Sequence, residues 1–505
     1  MAADMDTETS RSRRRWRSPQ PKPVAEKRNQ SANASPSRSF SAMFPLSRKD
    51  GWSQWCSNTS PAALEERVFS FIPYIQRPEP STNSSKASAS SSKSSLNTSA
   101  ASTKDSSHLL SPNSASDPYG PRKWSSQLVT LSGKNRALNE FCISRVGENP
   151  AHNLVMLHGY GAGLGFFYKN FEPLSRRPGW RLFALDMLGM GNSSRPPFKI
   201  RAKDRAAKIT EAENWFIDAL EEWRVQRGID RMTLLGHSMG GYMVSAYALK
   251  YPGHIDKLIL VSPVGIPEDP WATKAEIPDQ PSGEAAAGEI LRDEGIAQLD
   301  DGAVDIKPPK DAQKPDDPNK PFSKPPSKFV SHLWDANISP FSIIRLTGPL
   351  GPRLTSGWTS RRFAHLPTEE AAALHDYSYS LFRQRGSGEY ALAYILAPGA
   401  FAREPLIRRI HKIGRQQGEK GVPIVFMYGD EDWMDVNGGY AAEKKIKEEN
   451  EKVWAEMTEE ERKGDNGDAT VLVIQKAGHH LYLDNFEQFN QVMEVELEDV
   501  ERRTS

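Results

Sequence analysis

Ser238 stands in the pattern Gly236-His237-Ser238-Met239-Gly240. A serine hydroxyl is a weak nucleophile at neutral pH; it needs a base to take its proton and a third group to orient that base. The paired glycines suit a turn too sharp to admit side chains beside the serine. The apolar run 232–235 before it reads as a short buried strand, and 242–249 after it as a helix. Strand, tight turn and helix together make a nucleophile elbow, with the hydroxyl at the strand tip and the first helical amides beneath it. Without those flanking elements the same five residues are an ordinary Gly-rich turn.

The C-terminal half supplies a base and an acid. The strand 470–475 leads into Ala477-Gly478-His479-His480, and His479, directly after Gly478, is the expected base, with His480 as the alternative. The strand 423–428 runs into Gly429-Asp430-Glu431-Asp432-Trp433-Met434-Asp435. Asp432, three residues past the glycine, is the expected acid. Asp435 lies one helical turn further on and can also reach a histidine, while Asp430 and Glu431 read as solvated loop. Serine, acid, histidine is the chain order found where the nucleophile stands on such a strand–turn–helix elbow. An oxyanion hole needs two backbone N–H groups. The amide of Met239 is one, and the loop His158-Gly159-Tyr160-Gly161-Ala162-Gly163 offers the amide of Tyr160 as the other. That loop lacks G-K-[ST], which argues against nucleotide phosphate. His479 with Asp484 also fits H-x4-D, a pattern of glycerolipid acyltransferases in which the Asp orients a His that deprotonates an acceptor hydroxyl. The competing reading has Asp484 capping the terminal helix.

The elements that must position these residues follow from periodicity. Residues 124–131 and 138–146 read as two antiparallel strands; 153–157, 181–185 and 257–261 as buried strands; and 210–227 as a helix with Ala212, Trp215, Phe216, Ala219, Leu220 and Trp223 on one face. Strands alternating with helices imply an α/β fold with a mostly parallel sheet. After Pro267 the pattern breaks. Residues 268–327 read as a disordered insertion, and 328–415 as a helical cap, with helices over 368–383 and 388–396, inserted before the last two strands. The α/β core is thus 119–267 and 416–505, closed by a helix over 486–500.

Composition bounds the rest. The chain has 505 residues, a net charge of +1 and two cysteines, Cys56 and Cys142. Mean hydropathy is -0.61, which places many residues outside any core. Near-zero charge gives no field for nucleic acid. Two cysteines make neither a disulfide framework nor a metal cluster, so no metal and no cofactor are expected. No apolar run is long enough to span a bilayer, so membrane contact is expected to be peripheral. Residues 1–43 form a basic, Ser-rich segment with Arg11, Arg13, Arg14, Arg15 and Arg17 around Trp16, in keeping with a mitochondrial targeting segment, although Asp4, Asp6 and Glu8 count against it. Residues 44–75 read as a short helix pair in which Trp52 and Trp55 either anchor to a membrane surface or pack on the main domain. Residues 76–118 are a Ser-rich linker.

Several motifs coincide in one family. Gly51-Trp52 with Trp55, the loop from His158 to Gly165, Leu185-Asp186-Met187-Leu188-Gly189-Met190-Gly191-Asn192-Ser193-Ser194-Arg195-Pro196, the elbow, Trp433-Met434-Asp435 and Gly478-His479 with Asp484 are all present. Together they resemble the α/β-hydrolase-domain lipid enzymes grouped with the lipid-droplet lipase co-activator. That group includes N-acyl phospholipid lysophospholipases and fungal mitochondrial cardiolipin-specific deacylases. The likeness covers 44–75, 119–267 and roughly 360–500, and the stretch 387–400 is most similar to the fungal deacylases. It implies an α/β-hydrolase fold and a membrane phospholipid, cardiolipin, as substrate. The co-activator lacks the nucleophilic serine, whereas Ser238 is present here, which implies catalysis. In the animal members the acid aligns with Asp435. A mitochondrial serine phospholipase is therefore expected, with phospholipid and a membrane surface as partners. The alternatives are a lysophospholipid acyltransferase using His479 and Asp484, or a lipid-surface scaffold.

Overall fold

The apolar runs become eight strands of one sheet. They are β1 (Arg122–Thr130), β2 (Ala137–Arg145), β3 (His152–Leu157), β4 (Trp180–Leu185), β5 (Met232–His237), β6 (Ile255–Val261), β7 (Pro423–Gly429) and β8 (Asp468–Ile474). The order across the sheet is β1-β2-β4-β3-β5-β6-β7-β8. β2 runs antiparallel to both β1 and β4, and every other pairing is parallel. The computed structural model describes residues 45–75, 117–269, 334, 336–416 and 418–504. The basic segment 1–43, nearly all of the linker 76–118 and nearly all of the insertion 268–327 lie outside them. The described elements belong to one compact unit, Ser41–Ser505.

Side chains alternate between the two faces of a strand, and the core divides accordingly. Val155, Leu234, Leu258, Leu260, Ile424 and Phe426 enter one apolar cluster. Their neighbours Leu154, Met156, Leu235, Ile259, Val425 and Met427 enter the other. Central strands buried on both faces need such continuous apolar runs.

Helices cover both faces. The N-terminal pair is α1 (Arg48–Cys56) and α2 (Pro61–Phe69), capped by Ser47 and Ser60. Next come α3 (Tyr168–Leu174), α4 (Arg205–Gln226) and α5 (Met239–Lys250). α4 starts five residues before the expected position 210, because Asp204 accepts the Ala207 amide and caps it there. The cap holds α6 (Pro340–Leu346), α7 (Gly351–Arg362), α8 (Thr368–Phe382) and one turn, α9 (Leu392–Ile395). The continuous helix expected over 388–396 is instead a 3-10 turn, Gly388–Ala391, followed by α9. Gly388 is pressed against the Leu188 carbonyl, and Glu389 is tied to Arg345 at 2.8 Å; these tertiary contacts override the helical pattern.

α10 (Val436–Glu456) is a 21-residue helix that the sequence reading passed over. Its buried residues, Gly438, Gly439, Ala442, Ile446 and Asn450, form a thin stripe on a Lys- and Glu-rich helix. The short α11 (Glu459–Lys463) has a Thr458–Glu461 capping box. α12 (Leu481–Asp484) and α13 (Phe486–Thr504) close the chain. α13 buries Phe489, Met493, Leu497 and Val500 against the sheet, each worth roughly 1.5–3 kcal/mol of burial. Among the described residues no helix is long and apolar enough to cross a membrane.

α1 and α2 lie against the cap. Arg353 Nε donates to the Leu46 carbonyl (2.9 Å), Gln54 Nε2 to Asp376 Oδ1 (2.8 Å), and Arg67 pairs with Asp376 (2.5 Å).

Candidate active site

Parallel strands place their C-terminal ends together, and loops leaving those ends gather the polar residues. Ser238 leaves β5 with φ 54° and ψ −117°. A non-glycine residue there carries about 1–3 kcal/mol of strain, a cost typical of functional turns. Its amide donates to the Val261 carbonyl at 2.9 Å, which pins the turn to β6. A Cβ on Gly236 would come within 2.4 Å of the Gly240 carbonyl oxygen, and one on Gly240 within 2.6 Å of the His158 oxygen. Both flanking glycines are therefore sterically obligatory.

Three side chains then form a line. Asp432 Oδ1 lies 3.1 Å from His479 Nδ1, and His479 Nε2 lies 3.0 Å from Ser238 Oγ. With the Nδ1 proton donated to Asp432, Nε2 keeps its lone pair and faces the serine hydroxyl. The Asp432 side chain is 0% exposed. It also accepts hydrogen bonds from the Ser262 hydroxyl and from the Met434 amide at 3.1 Å. Burial alone would raise its pKa. The facing His479 outweighs that, with the hydrogen bonds from Ser262 and Met434, and holds the carboxyl below the ordinary range. Asp435 is elsewhere: it accepts the Asn437 amide at 2.9 Å and caps α10. Asp430, expected to be solvated, accepts the Ala477 amide at 3.0 Å and so ties the acid loop to the histidine loop.

The loop after β3 lies beside the elbow. A Cβ on Gly159 would sit 2.9 Å from that of Ser238. Neither the Tyr160 nor the Met239 amide donates to an acceptor among the described residues. The Tyr160 ring stacks on Phe341 at 5.0 Å, and Phe341 on Phe382 at 4.6 Å, so an aromatic wall runs from this loop into the cap.

His480 does not face the serine. It is half-buried with its ring 4.9 Å from that of His237, and desolvation, then the charge of Arg362, holds its pKa well below the usual value. Asp484 does not face the His479 ring and does not cap α13. It accepts the Gly478 amide at 3.0 Å and pairs with Arg362 at 3.1 Å. Asn485 caps α13 instead, taking the Gln488 amide at 3.2 Å. Sequence reasoning missed His237 and Ser262. His237 Nε2 donates to the His479 carbonyl at 2.9 Å, which holds the His479 backbone in place, and burial holds its pKa well down. Its place beside Ser238 in the elbow was the available signal; Ser262 gave none beyond following β6. Trp52 and Trp55 are 57% and 39% exposed, with ring centroids 5.4 Å apart. Among the described residues no cluster of three or more His, Cys, Asp or Glu side chains could hold a metal.

The α/β hydrolase fold family matches residues 153–287. A 1-acylglycerol-3-phosphate O-acyltransferase of Arabidopsis thaliana is 35% identical over 367 residues, 70% of this chain and 68% of its own. A (lyso)-N-acylphosphatidylethanolamine lipase of Homo sapiens is 29% identical, covering 74% of this chain and 86% of its own. A thermophilic esterase structure from Thermogutta terrifontis aligns over 74% of this chain and 99% of its own at 16% identity, with a TM-score of 0.43. The chain belongs to the α/β-hydrolase family, in the lipid-metabolising branch that holds the acyltransferase and lipase relatives.

Proposed function

We propose that this protein is a serine acyl hydrolase of the phospholipase A type, removing a fatty acid from a membrane phospholipid, with cardiolipin as substrate. The observation that carries the reading is the Asp432–His479–Ser238 hydrogen-bond line at a strained elbow. His479 takes the hydroxyl proton as Ser238 Oγ attacks the ester carbonyl. The Tyr160 and Met239 amides receive the developing oxyanion. His479 returns the proton to the lysolipid oxygen, whose bond to the acyl carbon breaks, and Asp432 stabilises the transient imidazolium. Water, deprotonated by His479, then releases the fatty acid from Ser238.

The aromatic wall of Tyr160, Phe341 and Phe382 suits an acyl chain. Exposed Trp52 and Trp55 suit a peripheral membrane contact, since indole favours an interface. Cardiolipin and a mitochondrial membrane rest on the likeness of 387–400 to the fungal deacylases and on the basic N-terminal segment. A second reading, acyl transfer to a lysolipid, is supported by the name of the Arabidopsis relative. A transferase that used Asp484 to orient His479 would need that carboxyl on the ring, whereas it sits on the Gly478 amide and Arg362. The test is release of fatty acid from cardiolipin vesicles by the purified protein. Ser238→Ala should abolish it and Asp484→Asn should spare it. The reverse pattern would favour the His-Asp transferase.

A further inference from the structure

Helix α2 delivers one carboxyl into the interior. Glu65 is 3% exposed. Its Oε2 accepts from the Tyr377 hydroxyl and from Asn192 Nδ2, both at 2.9 Å, and Asn139 Nδ2 reaches Oε1 at 3.0 Å. The same Asn139 nitrogen donates to Asp186 Oδ2 at 2.9 Å. Asp186, just past β4, accepts the Leu164 amide on Oδ1 and the Asn192 amide on Oδ2, each at 2.7 Å. The Tyr377 hydroxyl accepts the Gly165 amide at 3.3 Å; a Cβ at Gly163 would collide with that hydroxyl and one at Gly165 with the Tyr377 ring. Two amides of the 163–165 segment therefore hang on Asp186 and Tyr377, and both of those groups are engaged with Glu65. The segment continues directly from Tyr160 and Gly161, beside the elbow.

We propose that Glu65 is a positioning residue for acyl transfer to Ser238: supplied by the N-terminal helix pair, its carboxyl fixes Asp186 and Tyr377, and through them the backbone that aims the Tyr160 amide. The proposal rests on the hydrolase reading. It makes the N-terminal pair a structural part of the site rather than an anchor alone.

Two buried carboxyls joined through one amide cannot both ionise without repulsion. Burial first, and then the Asp186 charge, push Glu65 up to about 8, against the hydrogen bonds from Asn139, Tyr377 and Asn192. The groups facing this cluster are few. His158 lies 3.4 Å from Asp186 Oδ1, and burial holds its pKa down. Arg195 feels the Asp186 charge, and the Tyr377 hydroxyl is pushed well up by burial and both carboxyls. Arg67, on the same helix as Glu65, pairs with Asp376 instead. Glu65 thus holds its proton at neutral pH and loses it as pH rises through about 8. Its ionisation sets two carboxylates against each other and loosens 163–165.

The experiment measures kcat and KM for fatty-acid release from phospholipid vesicles across pH, for the full chain, Glu65→Gln, Glu65→Ala and Ser238→Ala. Glutamine keeps the length of the side chain and cannot ionise. The wild type should lose kcat above about pH 8 at constant KM, and Glu65→Gln should show no such alkaline fall relative to its own neutral kcat. Glu65→Ala should lose roughly 10–100-fold in kcat with vesicle binding unchanged, as expected of a displaced oxyanion donor. A Glu65→Gln enzyme that keeps the alkaline fall, or a Glu65→Ala enzyme with wild-type kcat, overturns the proposal. If Glu65→Ala does not fold, the Glu65→Gln profile decides. A wild type no more active than Ser238→Ala removes the hydrolase reading, and this proposal with it.

Discussion

Replacing Asp432 with asparagine should separate the two acids that the sequence leaves open. The Asp432 side chain is sealed from solvent and receives His479 Nδ1 and the Met434 amide on Oδ1, with the Ser262 hydroxyl on Oδ2. Asparagine can put its oxygen in the Oδ1 place and turn its NH2 toward Ser262, whose hydroxyl can switch from donor to acceptor. The His479 tautomer then survives, and what is lost is the charge facing the imidazolium. A charge pair about 4 Å apart at an effective dielectric near 20 is worth about 4 kcal/mol, or about a thousandfold in rate. If the amide nitrogen turns to Nδ1 instead, the tautomer is wrong and the loss approaches ten-thousandfold. Asp435→Asn should stay within about twofold, because asparagine caps a helix as well as aspartate. The assay is kcat and KM for fatty-acid release from phospholipid vesicles, and the loss should fall on kcat. Asp435→Asn losing as much as Asp432→Asn would refute the reasoning, as would an Asp432→Asn enzyme within about tenfold of wild type.

Two further outcomes follow from burial and exposure. His158, His237 and His480 are all held below the ordinary 6.5, in each case first because burial penalises the charged ring. The unfolded chain takes up protons that the folded chain refuses. Their contribution to stability is thus complete above pH 6.5 and is lost as pH falls below it, by up to about 1.4 kcal/mol per pH unit for each group. Urea midpoints should drop between about pH 7.5 and 5.5, and an unchanged midpoint would count against neutral buried histidines. Changing Trp52 and Trp55 together to alanine should weaken binding to anionic liposomes while leaving the melting temperature nearly unchanged, since both rings are exposed. Undiminished binding in flotation would place the membrane contact elsewhere.

The sheet was legible because its central strands are short apolar runs bounded by turn residues; 153–157 and 423–428 fall within one residue of β3 and β7. The elbow was legible because steric need writes glycine on both sides of Ser238, and His479 because it stands just past the last strand. The choice between Asp432 and Asp435 was not, since both follow the same strand within reach of a histidine. It is the turn closed by the Asp432 amide on the Gly429 carbonyl that points one carboxyl inward, while the other caps a helix. α10 was missed because its buried stripe rests on glycines and one isoleucine rather than on large apolar residues. Asp484 matched a motif whose spacing is right while its partner is the Gly478 amide. Glu65 gave no signal at all: its partners lie 74, 127 and 312 positions away in sequence and meet it only in the fold.

Placing catalysis at Ser238 leaves one direct measurement. The intact protein is treated with a fluorophosphonate probe, digested, and the modified peptide located by mass spectrometry. The account predicts one adduct, on the peptide carrying Ser238, absent in Ser238→Ala and strongly slowed in His479→Ala. No adduct, or an adduct on another serine while lipid hydrolysis persists in Ser238→Ala, would contradict it.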